Sequence, residues 1–316
     1  MARYVGWRLL LTVPIALGVS ILVFITVKII PGDPVASILG SHPTAAARAA
    51  VEHQYGLDKP AVIQYFYWLG HVVTGQFGTS ISMQTPVLGL VTSAFGNTLI
   101  LTAFASTVAV TGGVLLGALI AFSRQRLVKA LGNGMAVISV SIPQYTLGVL
   151  LIVGFAVMLG WLPTGGMRNP IDDSGLFTHL VLPGFSAALV PMGIIARMFS
   201  AALAETATSG WVESLQARGL SRPRLMTHIV YASISSLLTI AGLQIGYLLG
   251  GVFYVEVIFS WPGLGQLVFE SISKRDLPVI QAGVLVSAIA FVLLNFVIDL
   301  ARASIDPRIR QRGAVA

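Results

Sequence analysis

The sequence contains no cysteine, which excludes a disulfide framework and a thiolate metal site. Charge is scarce too: Asp, Glu, Lys and Arg make up 10% of the chain against 55% hydrophobic residues. Twelve acids and nineteen bases cannot solvate the surface of a soluble 33.4 kDa globule. With a mean hydropathy of +0.86, the composition is that of an integral membrane protein. The histidines, at positions 42, 53, 71, 179 and 228, include no pair at i, i+4 spacing, so no metal site is expected. None of Lys28, Lys59, Lys129 or Lys274 follows a glycine, so the G-x-x-x-x-G-K-[ST] phosphate loop is missing and ATP cannot be bound that way. A G-x-S-x-G elbow is also absent, and Ser20 and Ser186, each two residues after a glycine, have no His in a later span to serve as base. The chain is not expected to be an enzyme or to bind a cofactor of its own.

The bases that are present sit in clusters. Arg124, Arg126 and Lys129 share one gap between apolar runs, and Arg218, Arg222 and Arg224 share another. Arg302, Arg308, Arg310 and Arg312 lie at the C-terminus. Such clusters flanking apolar spans mark the cytoplasmic side. Nucleic acid, which a net charge of +7 and a pI near 10.0 would suggest, is not an expected partner, because no basic face is interleaved with aromatics.

Six apolar runs approach the roughly 20 residues a helix needs to cross a bilayer. They are approximately Trp7 to Ile30, Thr98 to Phe122, Met135 to Leu159, Leu180 to Leu203, Ile234 to Val257 and Val279 to Ala301. The reading is an all-α integral membrane protein with six transmembrane helices and both termini cytoplasmic. Arg3 and Arg8 precede the first run as in a signal peptide, but its length exceeds an h-region and no A-x-A site follows, so it is read as a retained helix. The domain reading is an N-terminal helix over 1–30, an extracytoplasmic segment over 31–96 and a core of five spans over 97–316. Turn signals at PGDP (31–34), GLDKP (56–60) and GQFGTS (75–80) punctuate the external segment, leaving short helices near 43–55 and 60–73. Pro43 and Pro60 suit first helical turns. The aromatic run QYFYWLG (64–70) fits either a membrane interface or packing between loop helices.

Intramembrane charges mark function by default, yet Lys28, Arg197, Asp299 and Arg302 all lie near span ends, where snorkelling satisfies them. That argues against an ion-coupled carrier, which needs a deeper acid. Asn295 and Asp299 share one face of the last span, where Asp299 either pairs with Arg302 or Arg197 or faces the substrate path. Gly242, Gly246 and Gly250 leave one face of the fifth span nearly bare. Such a face permits close contact within the chain, with a partner subunit, or along a translocation path.

The polar stretch SGWVESLQARGLSRPRLMTHIV (209–230) is more elaborate than a connector requires. Ser209 or Gly210 can cap a helix with Trp211, Val212 and Leu215 on one face, and Gly219 can end it with positive φ. Ser221 can cap a second helix that tolerates Pro223 in its first turn. The product is a bent, basic docking element at the cytoplasmic face. Its alternative is an interfacial helix resting on anionic membrane lipid through Arg218, Arg222 and Arg224.

This stretch resembles the EAA loop of permease subunits in binding-protein-dependent ABC importers, with QARGL (216–220) matching its Ala-Arg-x-Gly core. IIPGDPV (29–35), YGLDKP (55–60), FGTS (77–80), EVIFSWPGLG (256–265), RDLPVIQAGVL (275–285) and DPRIR (306–310) are similar to the dipeptide, oligopeptide and nickel branch, first-permease type. Two departures are WVESLQ in place of a more acidic, alanine-rich start and Ser235-Ser236 in place of a Leu/Ile-Pro pair. The resemblance implies a type I (MetI-like) permease fold in a bacterial inner membrane and import of dipeptides or oligopeptides, with nickel or another small solute as the alternative. It implies a second homologous permease, two ABC ATPases that bind and hydrolyse ATP with Mg, and an external solute-binding protein. The coupling loop would be about 204–229, with Glu213, Ala217, Arg218, Gly219, Leu220, Ser221 and Arg222 against the ATPase. Gly242, Gly246, Gly250, Asn295 and Asp299 would line the path or the permease–permease interface. Glu256, Trp261, Pro262, Gly263 and Gly265 would stand at the external mouth. From another class, the rival is a carrier or channel working alone.

Overall fold

The computed structural model describes residues 2–29, 44–54, 58–168 and 175–305. The PGDP and DPRIR motifs, Pro43, and Gly56 and Leu57 of the second turn signal lie outside them. The described helices are α1 (Ala2–Ile29), α2 (Ala45–Gln54), α3 (Ala61–Val73), α4 (Val87–Phe122), α5 (Arg126–Ser141), α6 (Gln144–Met158), α7 (Leu176–Ala207), α8 (Gly210–Ala217), α9 (Arg222–Ile258), α10 (Leu264–Ser273) and α11 (Leu277–Ile305). The β structure among described residues is one isolated bridge, Thr79 to Pro86.

α4, α7 and α9, and α11 over Leu277–Leu300, are each long and apolar enough to cross a membrane. α1 carries the apolar stretch Thr12–Thr26. The third expected span, Met135 to Leu159, is not one continuous helix. α5 and α6 meet at 104° across Ile142 and Pro143, so they form a broken span or a re-entrant pair. The cause is local: proline removes a donor and pushes the preceding residue out of the α region, and Ile142 sits at φ −84, ψ 123. α6 then widens into π-helical turns over Ile152–Met158.

The chain divides into two compact units. The first is built on Thr98–Trp261 with the residues from Leu294 onward. Its main core joins Leu101, Ala105 and Ala109 of α4 to Leu182, Ala187 and Ala188 of α7 and Leu248, Val252 and Val255 of α9. α4 and α7 approach closely because Gly113 and Gly117 face Ile195 and Ala196, and a Cβ at Gly117 would stand 2.8 Å from the Ala196 carbonyl oxygen. A second cluster joins Phe199 and Leu203 of α7 to Val212 of α8 and Leu225 and Ile229 of α9.

The second unit is built on Gly6–Asn97 and Pro262–Leu293. Val87, Val91 and Ala94 of α4 pack there with Leu264 of α10 and Val279 and Ala282 of α11. The aromatic run of α3 is divided. Tyr65 and Trp68 pack on Phe24 of α1, and Tyr65 bonds Ser20 through its hydroxyl at 2.7 Å, while Phe66 and Tyr67 are exposed. Lys59 Nζ lies 4.0 Å from the Tyr67 ring centroid.

Candidate functional site

The stretch 209–222 folds into a closed bend whose bonds can be read one by one. Ser209 precedes α8, but its hydroxyl donates back to the Thr206 carbonyl at 2.6 Å instead of capping α8 with its side chain. The first turn is held by backbone: Val212 N–H donates to the Ser209 carbonyl at 2.9 Å. Glu213 places negative charge in that turn, where the helix dipole favours it. At the far end Gly219 has φ +79, its N–H bonds the Gln216 carbonyl at 2.9 Å, and Leu220 N–H reaches the Leu215 carbonyl at 3.3 Å. These two bonds are a Schellman motif, which needs a left-handed residue at this position. A side chain at 219 would meet open space, so its strain would come from the backbone alone. Ser221 then leads into α9, with Pro223 in the first turn.

The bend is fixed to the helices behind it. Val212 is fully buried among Phe199, Leu203, Leu225 and Ile229, and Leu215 packs on the same cluster. Trp211 departs from the expected shared face: it is 43% exposed. The buried stripe of this short helix is centred between Val212 and Leu215, which leaves Trp211 at its edge. Glu213, Ala217, Arg218, Gly219, Ser221 and Arg222 are exposed and Leu220 is half-buried. The outer surface is therefore a polar rim holding one large aromatic. Arg222 donates to the Phe122 carbonyl at the end of α4, at 3.2 Å.

The glycine series on α9 has two characters. Gly242 and Gly246 are buried, and a Cβ at Gly246 would stand 3.2 Å from Asn295 Oδ1 of α11, so this part of the face serves contact within the chain. Gly250 is exposed with open space beside it, and Leu243, Tyr247 and Tyr254 are exposed near it along the helix. Asp299 is half-buried, and among the described residues Arg197 is exposed and forms no ion pair with it. The side chain of Arg302, its other expected partner, lies outside the described residues.

Two of the residues expected at the mouth are core posts. Glu256 and Trp261 are both fully buried, so neither lines an opening. The Trp261 N–H donates to the Glu256 carbonyl at 2.8 Å across a tight turn with Ser260 at φ 47, and the Thr98 hydroxyl donates to Glu256 Oε1 at 2.6 Å. A buried carboxyl group needs such partners, since an unsatisfied polar group in a low dielectric is costly. In the other unit, Pro262 is exposed and its carbonyl accepts from Asn97 Nδ2 at 2.9 Å, while Gly263 and Gly265 are buried.

One constellation escaped the sequence reading. Asp276, fully buried before α11, accepts from the hydroxyl of Ser80, from the Ser82 N–H at 2.9 Å and from the Ser82 hydroxyl at 2.8 Å. Burial raises its carboxyl pKa, but these donors together outweigh burial and hold it below the usual carboxylate value. Ser80 ends the FGTS motif, with Ser82 two residues beyond it, and Asp276 lies in RDLP, yet a separation of 196 positions between Ser80 and Asp276 leaves no local pattern that pairs them.

Residues 1–111 match the family described as binding-protein-dependent transport system membrane component, N-terminal, and residues 113–311 match the binding-protein-dependent transport system inner membrane component. The chain is 36% identical to the dipeptide transport system permease protein DppB of Alkalihalophilus pseudofirmus, over 98% of this chain and 100% of that protein. It is 38% identical to the glutathione transport system permease protein GsiC of Salmonella typhimurium, over 99% and 100%. Among solved structures, an inward-facing form of the MetNI methionine ABC transporter superposes with a TM-score of 0.54 at 19% identity, covering 70% of this chain and 97% of that one. That likeness concerns the fold.

Proposed function

The chain belongs to the binding-protein-dependent transport system inner membrane components, and from that premise we propose that it forms half of the pathway through which an ABC importer takes up small peptides. Relatives named for dipeptide and glutathione transport support the substrate class. The chain works in a bacterial inner membrane beside a second, homologous permease. ATP and Mg are bound by two ATPase subunits on its cytoplasmic side, and an external solute-binding protein delivers the peptide.

The observation that carries the mechanism is the bend at Gly219. An eight-residue helix is buried on one side in the α7–α9 cluster and presents Trp211, Glu213, Ala217 and Arg218 on the other. It is short, closed by hydrogen bonds at its C-terminal end and continuous through Ser221 with the 37-residue α9. Such an element passes a displacement at its rim to a membrane helix instead of absorbing it. ATP can shift the transport equilibrium only by binding one state of the assembly better than the other, and this lever carries the difference across the subunit boundary. The open side of α9 around Tyr247, Gly250 and Tyr254 faces the path or the second permease.

Reconstitution tests the reading. Proteoliposomes holding this chain, its homologous permease and both ATPases should accumulate a labelled dipeptide only with ATP inside and binding protein outside. Uptake by this chain alone, driven by an ion gradient, would overturn it.

A further inference from the structure

At the inner end of the first unit a cavity of about 390 Å³ opens among Arg124, Lys129 and Arg222, above a floor of Phe122, Leu225 and Ile229. Among the described residues no acid lines it, and no ion pair joins Glu205 or Glu213, on the neighbouring segments, to its cations. Among the described residues the side chains of Arg124 and Lys129 have no hydrogen-bond or ion-pair partner, and Arg222 spends one donor on the Phe122 carbonyl. α9 also begins at this cavity, at the lining residue Arg222, without a side-chain cap. Its free N–H groups add positive potential to that of the side chains. The cavity is thus a cationic rim over an apolar floor.

Its wall continues into the apolar flank of α4. Ser123 lines the cavity, and Leu119 and Leu115, four and eight residues back on the same face, are 51% and 71% exposed. A free phosphate would satisfy the rim and leave the floor wet. A phospholipid satisfies both, with its phosphate between the cations and its first acyl carbons along Phe122 and the α4 leucines.

We propose that this cavity binds the headgroup of one anionic phospholipid from the inner leaflet, held through its phosphate by Arg124, Lys129 and Arg222. This site shares only Arg222 with the polar rim of the 209–222 bend and goes beyond the transport reading. Basic pockets between membrane helices on the cytoplasmic side suit such headgroups, and each cation near the surface is worth about fivefold in affinity.

The test uses the assembled transporter in mild detergent, titrated with phosphatidylglycerol and followed by native mass spectrometry. A bound phosphatidylglycerol on the wild-type permease should weaken roughly thirtyfold in the double variant Arg124→Ala, Lys129→Ala. It should persist in Arg126→Ala, Arg224→Ala, which removes the same charge from residues that do not line the cavity, and in the charge-preserving Arg124→Lys, Lys129→Arg. Phosphatidylcholine should not replace it, and millimolar inorganic phosphate should not displace it. Equal loss in both alanine pairs would mean diffuse attraction and would overturn the site. So would displacement by inorganic phosphate, or absence of the lipid from the intact assembly, which would mean that the ATPase covers the cavity.

Discussion

The hydroxyl of Thr98 donates to Glu256 Oε1 at 2.6 Å, with both side chains buried, and so ties the α4 segment to the outer end of α9 inside the main core. Thr98→Val keeps the shape and removes one hydrogen bond to a buried carboxyl group, a loss of about 1–3 kcal/mol. The double variant with Glu256→Gln should cost less than the sum of the two single changes, by about 0.5–3 kcal/mol of coupling. Thermal unfolding of the four proteins in one detergent measures this. Strict additivity would show that the pair is incidental.

Asp276 supplies a pH dependence. Its folded pKa is depressed, so its contribution to stability is present above the unfolded value and is lost as pH falls through the folded value. The clasp to Ser80 and Ser82 should hold at neutral pH and loosen only below about pH 4. Asp276→Asn leaves one oxygen for the serines but sets an amide where Oδ1 now lies buried without a partner. It should cost about 1–3 kcal/mol at pH 7 and flatten the acid limb of an unfolding-against-pH profile.

Much of the architecture could be read from hydrophobicity, and the reasons for the misses are physical. Apolar runs locate the membrane-spanning part of a helix, whereas helix ends follow backbone bonding. α9 accordingly starts at Arg222 and α4 at Val87, well before the apolar runs that announce them. Pro143 could have broken the third span on the page, but an apolar run on both sides of it masks the bend. The bend between α8 and α9 was legible because Gly219 and Pro223 are local signals. Trp211 was misplaced because an eight-residue helix buries too narrow a stripe to cover every apolar residue near it. Glu256 looked like a mouth residue from its position beside SWPGLG; only the fold brings Thr98 to it.

Gly246 sets the spacing of α9 and α11. Its missing side chain leaves 3.2 Å between a would-be Cβ and Asn295 Oδ1. Gly246→Val should destabilise the pair by about 1–3 kcal/mol, and Asn295→Ala should recover part of that by removing the obstructing amide. Unfolding midpoints of both singles and the double report it. A double variant no better than Gly246→Val would place the strain elsewhere.

Trp211 should act as an anchor. Large aromatics dominate interface energies when a partner covers them, and truncation of one costs about 2 kcal/mol or more. Trp211→Ala should weaken ATPase association roughly thirtyfold. Because the ring is 43% exposed, unfolding of the isolated permease should shift little. Binding of the purified ATPases to detergent-solubilised permease separates the two effects.

The central claim is that the Gly219 bend transmits work from the ATPases, and its most direct test compares two substitutions there. Asn tolerates left-handed backbone and Val does not, the difference being about 1–2 kcal/mol at φ +79. In the reconstituted complex, stimulation of ATP hydrolysis by peptide-loaded binding protein should survive Gly219→Asn and collapse to the basal rate in Gly219→Val, with the complex still assembled. Normal stimulation in Gly219→Val would contradict the account, because force would then be reaching the membrane by another route.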